Sequence, residues 1–391
     1  MPSNPQELAG THFVRRMALF YASVFIALGV HMPFLPVWLA AKGLEPQTIG
    51  VVLATPMILR LFAIPMATRT ADRRDALRAV IMAAALTALV GFGTLGVTAD
   101  TLAIAVLYAL SATAFMLLFV LSDVYALRGL APHRRAYGPV RLWGSAAFIV
   151  ANLTAGYLLD IIAARDLIWL IVAAMTIVLA AGWALPPLAT RASATPGDTP
   201  PVRALLRDPA FLAVAAAASL IQGSHGLYYS FSTIDWQAAG YGGGTIGVLW
   251  ALGVLAEIVL FALSARLPAA FTPSVLILIG GAGALVRWTA MALNPPGVLL
   301  PLLQCLHALS FGATHLGTLA FIGRAAPAGL AATAQGYLAV STGVAIAAST
   351  GLSGLLYARF GAAAYGAMAL IAAAGLAVAF AAHRMQTNDA R

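Results

Sequence analysis

AAKGLEPQTIGVVLA, from Ala40 to Ala54, returns in altered form as QAAGYGGGTIGVLWA, from Gln237 to Ala251, with every position shifted by 197 residues. At this offset seven pairs of residues are identical: Ala41/Ala238, Gly43/Gly240, Thr48/Thr245, Ile49/Ile246, Gly50/Gly247, Val51/Val248 and Ala54/Ala251. A repeat spaced at half the length of a 391-residue chain predicts two related halves, each built on the same succession of elements.

The composition around the repeat predicts a membrane protein. Hydrophobic residues make up 61% of the chain and charged residues 9%, whereas soluble domains are about 45–50% apolar and about 25% charged. A span needs roughly 20 mostly apolar residues, and long apolar runs exclude the alternating pattern of a barrel. We expect an all-α protein with twelve transmembrane helices, at about 14–39, 47–67, 78–98, 101–127, 139–162, 166–186, 210–236, 244–264, 273–292, 298–322, 329–357 and 361–383.

One long polar stretch, residues 188–208, separates the sixth predicted helix from the seventh. Its Pro196, Gly197, Pro200 and Pro201 are typical of a flexible linker. We therefore predict an N-terminal six-helix bundle over 1–187, a cytoplasmic linker over 188–208 and a C-terminal six-helix bundle over 209–391. Two pseudo-symmetric bundles of six helices form the major facilitator fold.

The net charge of +9 comes from arginines placed in loops, which indicates topology rather than a nucleic-acid partner. These arginines fall in alternate loops: Arg69, Arg73, Arg74 and Arg78; Arg128, Arg134 and Arg135; Arg191, Arg203 and Arg207. Basic loops stay on the cytoplasmic side. The pattern predicts a multi-pass protein of a bacterial inner membrane with both termini in the cytoplasm.

Charged residues inside predicted spans are candidates for function, because each costs about 2.5–3.5 kcal/mol to insert. At the repeat offset Arg60 of helix 2 matches Glu257 of helix 8. Asp123 lies late in helix 4 and Arg141 early in helix 5, so the two lie at similar depth. An Asp–Arg pair could offer its guanidinium to a substrate carboxylate. The alternatives are a structural ion pair for Arg60 and Glu257, and side chains that reach the cytoplasmic surface for Asp123 and Arg141.

Helix 7 carries a stripe of polar and aromatic residues on one face: Gln222, His225, Tyr228 and Tyr229. Such a stripe suits a cavity for a ring-bearing solute. Helix packing with an interfacial aromatic belt is the alternative interpretation.

Helix 10 carries His307 and His315, and Glu257 and Arg287 lie in the same half. Histidine titrates near physiological pH, so this set is a candidate proton relay. A metal site would need more convergent ligands, and the one cysteine, Cys305, can form neither an internal disulfide nor a cysteine metal site. We expect no metal and no cofactor other than the proton gradient.

Prolines also lie inside predicted spans. Pro33 and Pro36 are expected to interrupt helix 1, and Pro56 and Pro65 helix 2. Such breaks are tolerated in membranes where neighbours satisfy the freed backbone groups.

Several stretches resemble the probable 3-phenylpropionic acid transporter family: FLPVWLAAKGLEPQTIGVVLA from Phe34, VRLWGS from Val140, LIQGSHGLYYSFSTIDWQAAGY from Leu220, LWALGVLAEIVLFALS from Leu249 and LHALSFGATHLGTLAFI from Leu306. That family is similar to the oligosaccharide:proton symporters, such as lactose permease. The resemblance implies that Asp123 and Arg141 contact substrate. It also implies that Glu257, Arg287 and one histidine of helix 10 serve proton coupling.

These features predict a secondary active transporter that takes up a small aromatic carboxylate, such as 3-phenylpropionate, with protons and by alternating access. Its partners would be the solute, protons and the lipid bilayer, and the chain would be monomeric. The alternatives of the same fold are a proton symporter for sugar or nucleoside and a drug efflux carrier. Gly351-Leu352-Ser353-Gly354 matches the GxSG string of intramembrane serine proteases. The repeat and the twelve helices fit an enzyme poorly, so we expect none.

The first test concerns sidedness. Reporters active on only one side of the membrane, fused within 188–208 and after Lys42, should report cytoplasm for the first site and periplasm for the second, because basic loops stay inside. A periplasmic signal from the linker would contradict the twelve-helix topology.

Overall fold

A computed structural model describes residues 5–188, 203–326 and 330–389, and all regular secondary structure in these ranges is helical. The main helices are α1 (Pro5–Ala41), α2 (Pro46–Arg73), α3 (Leu77–Val97), α4 (Thr101–Leu130), α5 (Tyr137–Leu159), α6 (Leu167–Trp183), α7a (Pro209–Gly223), α7b (Gly226–Ala238), α8 (Gly243–Leu263), α9 (Pro273–Ala292), α10a (Leu300–Cys305), α10b (Thr314–Ala325), α11 (Ala331–Phe360) and α12 (Tyr365–Asp389).

Eleven helical stretches in the described ranges are long and apolar enough to cross a membrane. The last of them, Thr333–Thr387, contains both α11 and α12, which a 3₁₀ turn at Gly361–Ala364 separates. Gly361 has φ +55°, a left-handed conformation that ends α11. The twelve predicted spans are therefore confirmed.

The helices are interrupted, but not at the prolines where the sequence predicts breaks. α1 is continuous through Pro33 and Pro36, and α2 through Pro56 and Pro65, so the predicted breaks there are wrong. Neighbouring helices and local adjustments can satisfy the carbonyl groups that proline leaves free. The broken spans are instead the seventh, between α7a and α7b, and the tenth.

The break in the seventh span coincides with a close approach of another helix. A Cβ atom at Gly226 would lie 2.1 Å from Ser349 Oγ of α11, so only glycine allows this contact. Ser349 Oγ also donates to the Gly223 carbonyl group at the end of α7a. In the tenth span, Ala308–Ala313 forms a π-helix between α10a and α10b, a form that is rare and frequent at functional sites.

The sequence repeat is visible in the backbone. Gly43 has φ +85° and its counterpart Gly240 has φ +86°, a region that L-residues with side chains rarely adopt. The next matched pair of glycines, Gly50 and Gly247, lies at close approaches between helices. A Cβ atom at Gly50 would lie 2.9 Å from Gly354 Cα of α11, and one at Gly247 would lie 2.6 Å from the Asn152 carbonyl oxygen of α5.

The contacts group the chain into two compact units. The first contains residues 1–44, 55–193 and 236–248, and the second contains 45–54, 194–235 and 249–391. The predicted bundles, 1–187 and 209–391, are defined by the sequence repeat and stay a prediction. Most of the predicted linker, residues 189–202, lies outside the described residues.

Each unit has its own packed centre. In the first, α1 packs against α4, α5 and α6, and Lys42 Nζ at its end donates to the Thr98 carbonyl group at 3.0 Å. In the second, α7a packs against α11 and α12, and α9 packs against α12 and α10b. Large aromatic side chains such as Trp38 and Trp288 are fully buried in these centres. Four polar candidates, Gln222, His225, Arg287 and His307, are buried in the second centre.

Replacing Gly247 by alanine should lower the melting temperature of the purified protein by several degrees. The added Cβ atom would collide with the Asn152 carbonyl group, and overpacking of this kind costs about 1–3 kcal/mol. Gly93→Ala is the control, because a Cβ atom there meets nothing within 4 Å. Equal melting temperatures for the two variants would contradict the close packing at Gly247.

Candidate functional site

Arg287 of α9 lies at the centre of a polar cluster in the second unit and is 0% exposed. Its Nη2 donates to Gln304 Oε1 at 2.6 Å, and its Nη1 lies 3.1 Å from His307 Nδ1 and 3.5 Å from Ser310 Oγ. None of these three partners is an acidic side chain. The guanidinium group is therefore held in place by hydrogen bonds to an amide, an imidazole and a hydroxyl group.

The protonation state of His307 follows from this bond. An arginine can only donate hydrogen bonds, so Nδ1 of His307 must accept. The imidazole ring is then neutral and carries its proton on Nε2. That atom lies 3.8 Å from Glu257 Oε2, which is close enough for electrostatic attraction but too long for a hydrogen bond. Arg287, His307 and Glu257 thus form a chain in which one member is permanently charged and two can titrate.

The broken seventh span and the π-helix of the tenth span meet beside this chain. His225, in the break, places Nδ1 3.2 Å from the Ile221 carbonyl oxygen and Nε2 3.0 Å from Ser310 Oγ. A carbonyl group can only accept, so Nδ1 donates, and in the neutral ring Nε2 then accepts from the serine hydroxyl group. Gln222 Nε2 donates to the Phe311 carbonyl group at 3.2 Å. Broken membrane helices often line the solute sites of transporters.

Aromatic rings enclose the cluster. The Arg287 guanidinium carbon lies 4.4 Å from the Tyr228 ring and 4.5 Å from the Trp288 ring, distances typical of cation–π contacts. Tyr228 also packs 4.5 Å from Trp250 and 5.4 Å from Tyr229. Buried among rings and neutral acceptors, Arg287 is held rigidly.

The structure therefore brings together most of the residues predicted in the second half, which are Gln222, His225, Tyr228, Tyr229, Glu257, Arg287 and His307. His315 lies apart. It is exposed, and the Phe311 ring stacks between it and His307 at centroid distances of 5.9 and 5.2 Å.

The first unit holds a second, smaller constellation. Asp123 Oδ1 accepts hydrogen bonds from the hydroxyl groups of Tyr21 and Tyr137, both at 2.7 Å. The Arg141 guanidinium carbon lies 4.0 Å from the Phe25 ring and 5.6 Å from the Tyr21 ring. Within the described residues Asp123 and Arg141 form no ion pair, and Tyr21 contacts both instead.

Arg141 differs from Arg287 in its burial and in its hydrogen bonds. It is half-buried and donates no hydrogen bond to any described residue, so its five N–H groups remain available. Arg60 of α2 is also half-buried and has no hydrogen bond or ion pair within the described ranges. The first unit thus offers unengaged guanidinium groups, whereas that of Arg287 is enclosed.

Sequence reasoning missed four contributors: Tyr21, Tyr137, Gln304 and Ser310. Two of them carried a signal. Gln304 precedes His307 by three positions and Ser310 follows it by three, so all three side chains fall along one helical face. Tyr21 and Asp123 are 102 positions apart, and no local spacing links them.

The sequence is similar to known membrane transporters. Residues 14–366 match the MFS_1 like family. The chain is 32% identical over 365 residues to the probable 3-phenylpropionic acid transporter of Escherichia coli (strain K12), covering 92% of this chain and 95% of that protein. It is 28% identical over 354 residues to the maltose permease of Geobacillus stearothermophilus, covering 88% and 87%.

Solved structures share the fold at low identity. The nucleoside transporter NupG superposes with a TM-score of 0.77 at 16% identity, covering 95% of this chain and 98% of that one. A bacterial homolog of the human lysosomal transporter Spinster, in an inward-facing and unoccupied conformation, superposes with a TM-score of 0.73 at 14% identity, covering 99% of both chains. These likenesses show the fold alone.

Proposed function

This chain belongs to the MFS_1 like family and is a secondary transporter of small molecules, and we propose that it takes up a small aromatic carboxylate, such as 3-phenylpropionate, together with protons. Uptake proceeds by alternating access, with the proton gradient as the energy source and no bound cofactor. The protein is a monomer in the bacterial inner membrane with both termini in the cytoplasm. The name of the Escherichia coli relative supports this class of solute.

The proposal rests on the surroundings of the Arg141 guanidinium group, which contacts aromatic rings but no hydrogen-bond acceptor among the described residues. The rings are those of Phe25 and Tyr21. A planar guanidinium binds a carboxylate through two parallel hydrogen bonds, and neighbouring aromatic faces favour a ring on the same ligand. Asp123, which accepts from two tyrosines, is linked to Arg141 through Tyr21, and as an acidic group it favours a ligand with only one carboxylate.

Proton coupling is assigned to the chain of Arg287, His307 and Glu257. His307 can bind a second proton only if Arg287 leaves Nδ1, because both atoms would then be donors. Glu257, with a 20% exposed side chain, can bind a proton without breaking that bond. We therefore assign the transported proton to Glu257 and assign to His307 the role of transmitting the change in charge to Arg287.

A sugar or nucleoside symporter is the second candidate, and the similarity to the maltose permease favours it. Sugar sites use many hydroxyl-binding amides and carboxylates. The described cluster offers only two amides, Gln222 and Gln304, and each makes one hydrogen bond inside the protein, while Gln304 Nε2 has no partner among the described residues. An aromatic acid therefore fits the available groups better than a sugar.

Arg141→Lys should raise the KM for 3-phenylpropionate about tenfold or more, because a charge-assisted hydrogen bond contributes about 1.5–3 kcal/mol and lysine lacks the planar fork. Uptake of radiolabelled acid by whole cells measures this. Arg69→Lys, at an exposed arginine in the last turns of α2, is the control and should match wild type. Wild-type uptake of the uncharged amide analogue at the same rate as the acid would overturn anion recognition, and preferential uptake of maltose would support the sugar alternative.

Glu257→Gln should abolish uphill, pH-driven uptake while counterflow exchange between preloaded vesicles and medium continues, because glutamine keeps the shape but cannot ionise. Asp235→Asn is the matched control. The Asp235 carboxylate accepts from the Tyr357 hydroxyl group at 3.3 Å and is not part of the series Arg287, His307 and Glu257. If Glu257→Gln still accumulates substrate and the His307/His315 double variant does not, the proton carrier is in helix 10. If all three sites are dispensable, the protein is a uniporter.

A further inference from the structure

An open cavity of about 540 Å³ lies in the first unit, and no residue of the two constellations lines it. It is formed where α3 begins and where α4 and α6 end. Its walls include Arg78, Met82, Tyr125, Arg128 and Trp183. The transport scheme above uses none of these side chains.

Two guanidinium groups give the cavity its charge. Arg78 Nη2 donates to the Trp183 carbonyl group at 2.6 Å, and Arg128 Nη2 donates to Asp75 Oδ1 at 2.9 Å. Each bond uses one of the five N–H groups of an arginine, so most donors remain for a ligand. With Asp75 included, the lining carries two positive charges and one negative charge. The cavity is therefore suited to a monovalent anion.

The remaining walls are apolar and lie at the edge of the spans. The Trp183 side chain is 71% exposed at the end of α6, a position typical of tryptophan at a membrane–water boundary. Met82 and the Tyr125 ring line the deeper wall, and the Tyr125 hydroxyl group is already bonded to the Pro186 carbonyl group. A ligand that fits both regions has an anionic head and an apolar body.

We propose that this cavity binds the phosphodiester head group of an anionic phospholipid, with the phosphate between Arg78 and Arg128 and an acyl chain along Met82 and Trp183. The arginine pattern assigns this end of the spans to the cytoplasmic side. Anionic lipids of that leaflet bind basic pockets between membrane helices. Free phosphate shares the head-group chemistry but would leave the apolar wall unused.

Native mass spectrometry of the purified full chain tests the site. The protein is exposed in detergent to equal amounts of phosphatidylglycerol and phosphatidylcholine. Wild type should retain phosphatidylglycerol preferentially, and Arg78→Gln/Arg128→Gln should bind it about tenfold more weakly or worse. Arg69→Gln/Arg135→Gln removes the same charge at exposed positions outside the cavity and should retain the lipid within about twofold of wild type.

A second variant tests whether lipid binding depends on the open space of the cavity, without altering its charge or the folding of the protein. Ala79 lines the cavity and is exposed, so Ala79→Phe fills the space without changing charge or the buried core, and lipid retention should fall severalfold. Equal loss in the Arg69/Arg135 control, unchanged retention in Ala79→Phe, or equal retention of both lipids would overturn the proposal. So would thermal stabilisation by inorganic phosphate without any by phosphatidylglycerol, since the cavity would then take a free anion.

Discussion

The 3.1 Å bond from Arg287 to His307 joins a side chain that is always charged to one whose charge can change. A buried guanidinium group depends on the acceptors that the protein provides. Three of these acceptors come from the tenth span, Gln304, His307 and Ser310, and the Tyr228 side chain of the seventh span is a further hydrogen-bond partner. Ser310 Oγ is a partner of both Arg287 and His225, so the same hydroxyl group links the guanidinium to the break in the seventh span.

The two arginines of the candidate sites, Arg287 and Arg141, differ in burial, and this difference suits them to different roles in transport. Arg287 is enclosed by rings and acceptors, so it can respond only to changes within its own cluster. Arg141 is half-buried against Phe25 with its donors unused, so it is suited to recognise a solute. As intramembrane arginines the two carry the same charge, and the family resemblance alone gives them different expected roles; their surroundings supply a physical reason for that difference.

Composition and the repeat were sufficient to predict twelve spans, because lipid leaves few alternatives to long apolar helices. The spacing of three positions between Gln222, His225 and Tyr228 separately predicted that they would share a helical face. The break at Ser224 and His225 could not be predicted, because it depends on the approach of Ser349 to Gly226, which lies far from it along the chain. The expectation of proline breaks was wrong because neighbouring helices can compensate for a missing N–H group. Likewise, Asp123 was matched with Arg141 by depth, whereas Tyr21 and Tyr137 are its hydrogen-bond partners.

Gly43 and Gly240 keep nearly the same left-handed backbone, at φ +85° and +86°, although the sequence around them has diverged. Any residue with a Cβ atom pays about 1–2 kcal/mol of strain in this conformation, and neither site has an atom within 4 Å of an added Cβ. The intrinsic conformational penalty of a substitution should therefore be the same at both positions. An alanine placed at either site therefore introduces the same local strain, and any difference in transport between the two variants reflects how differently the transport cycle depends on these two turns.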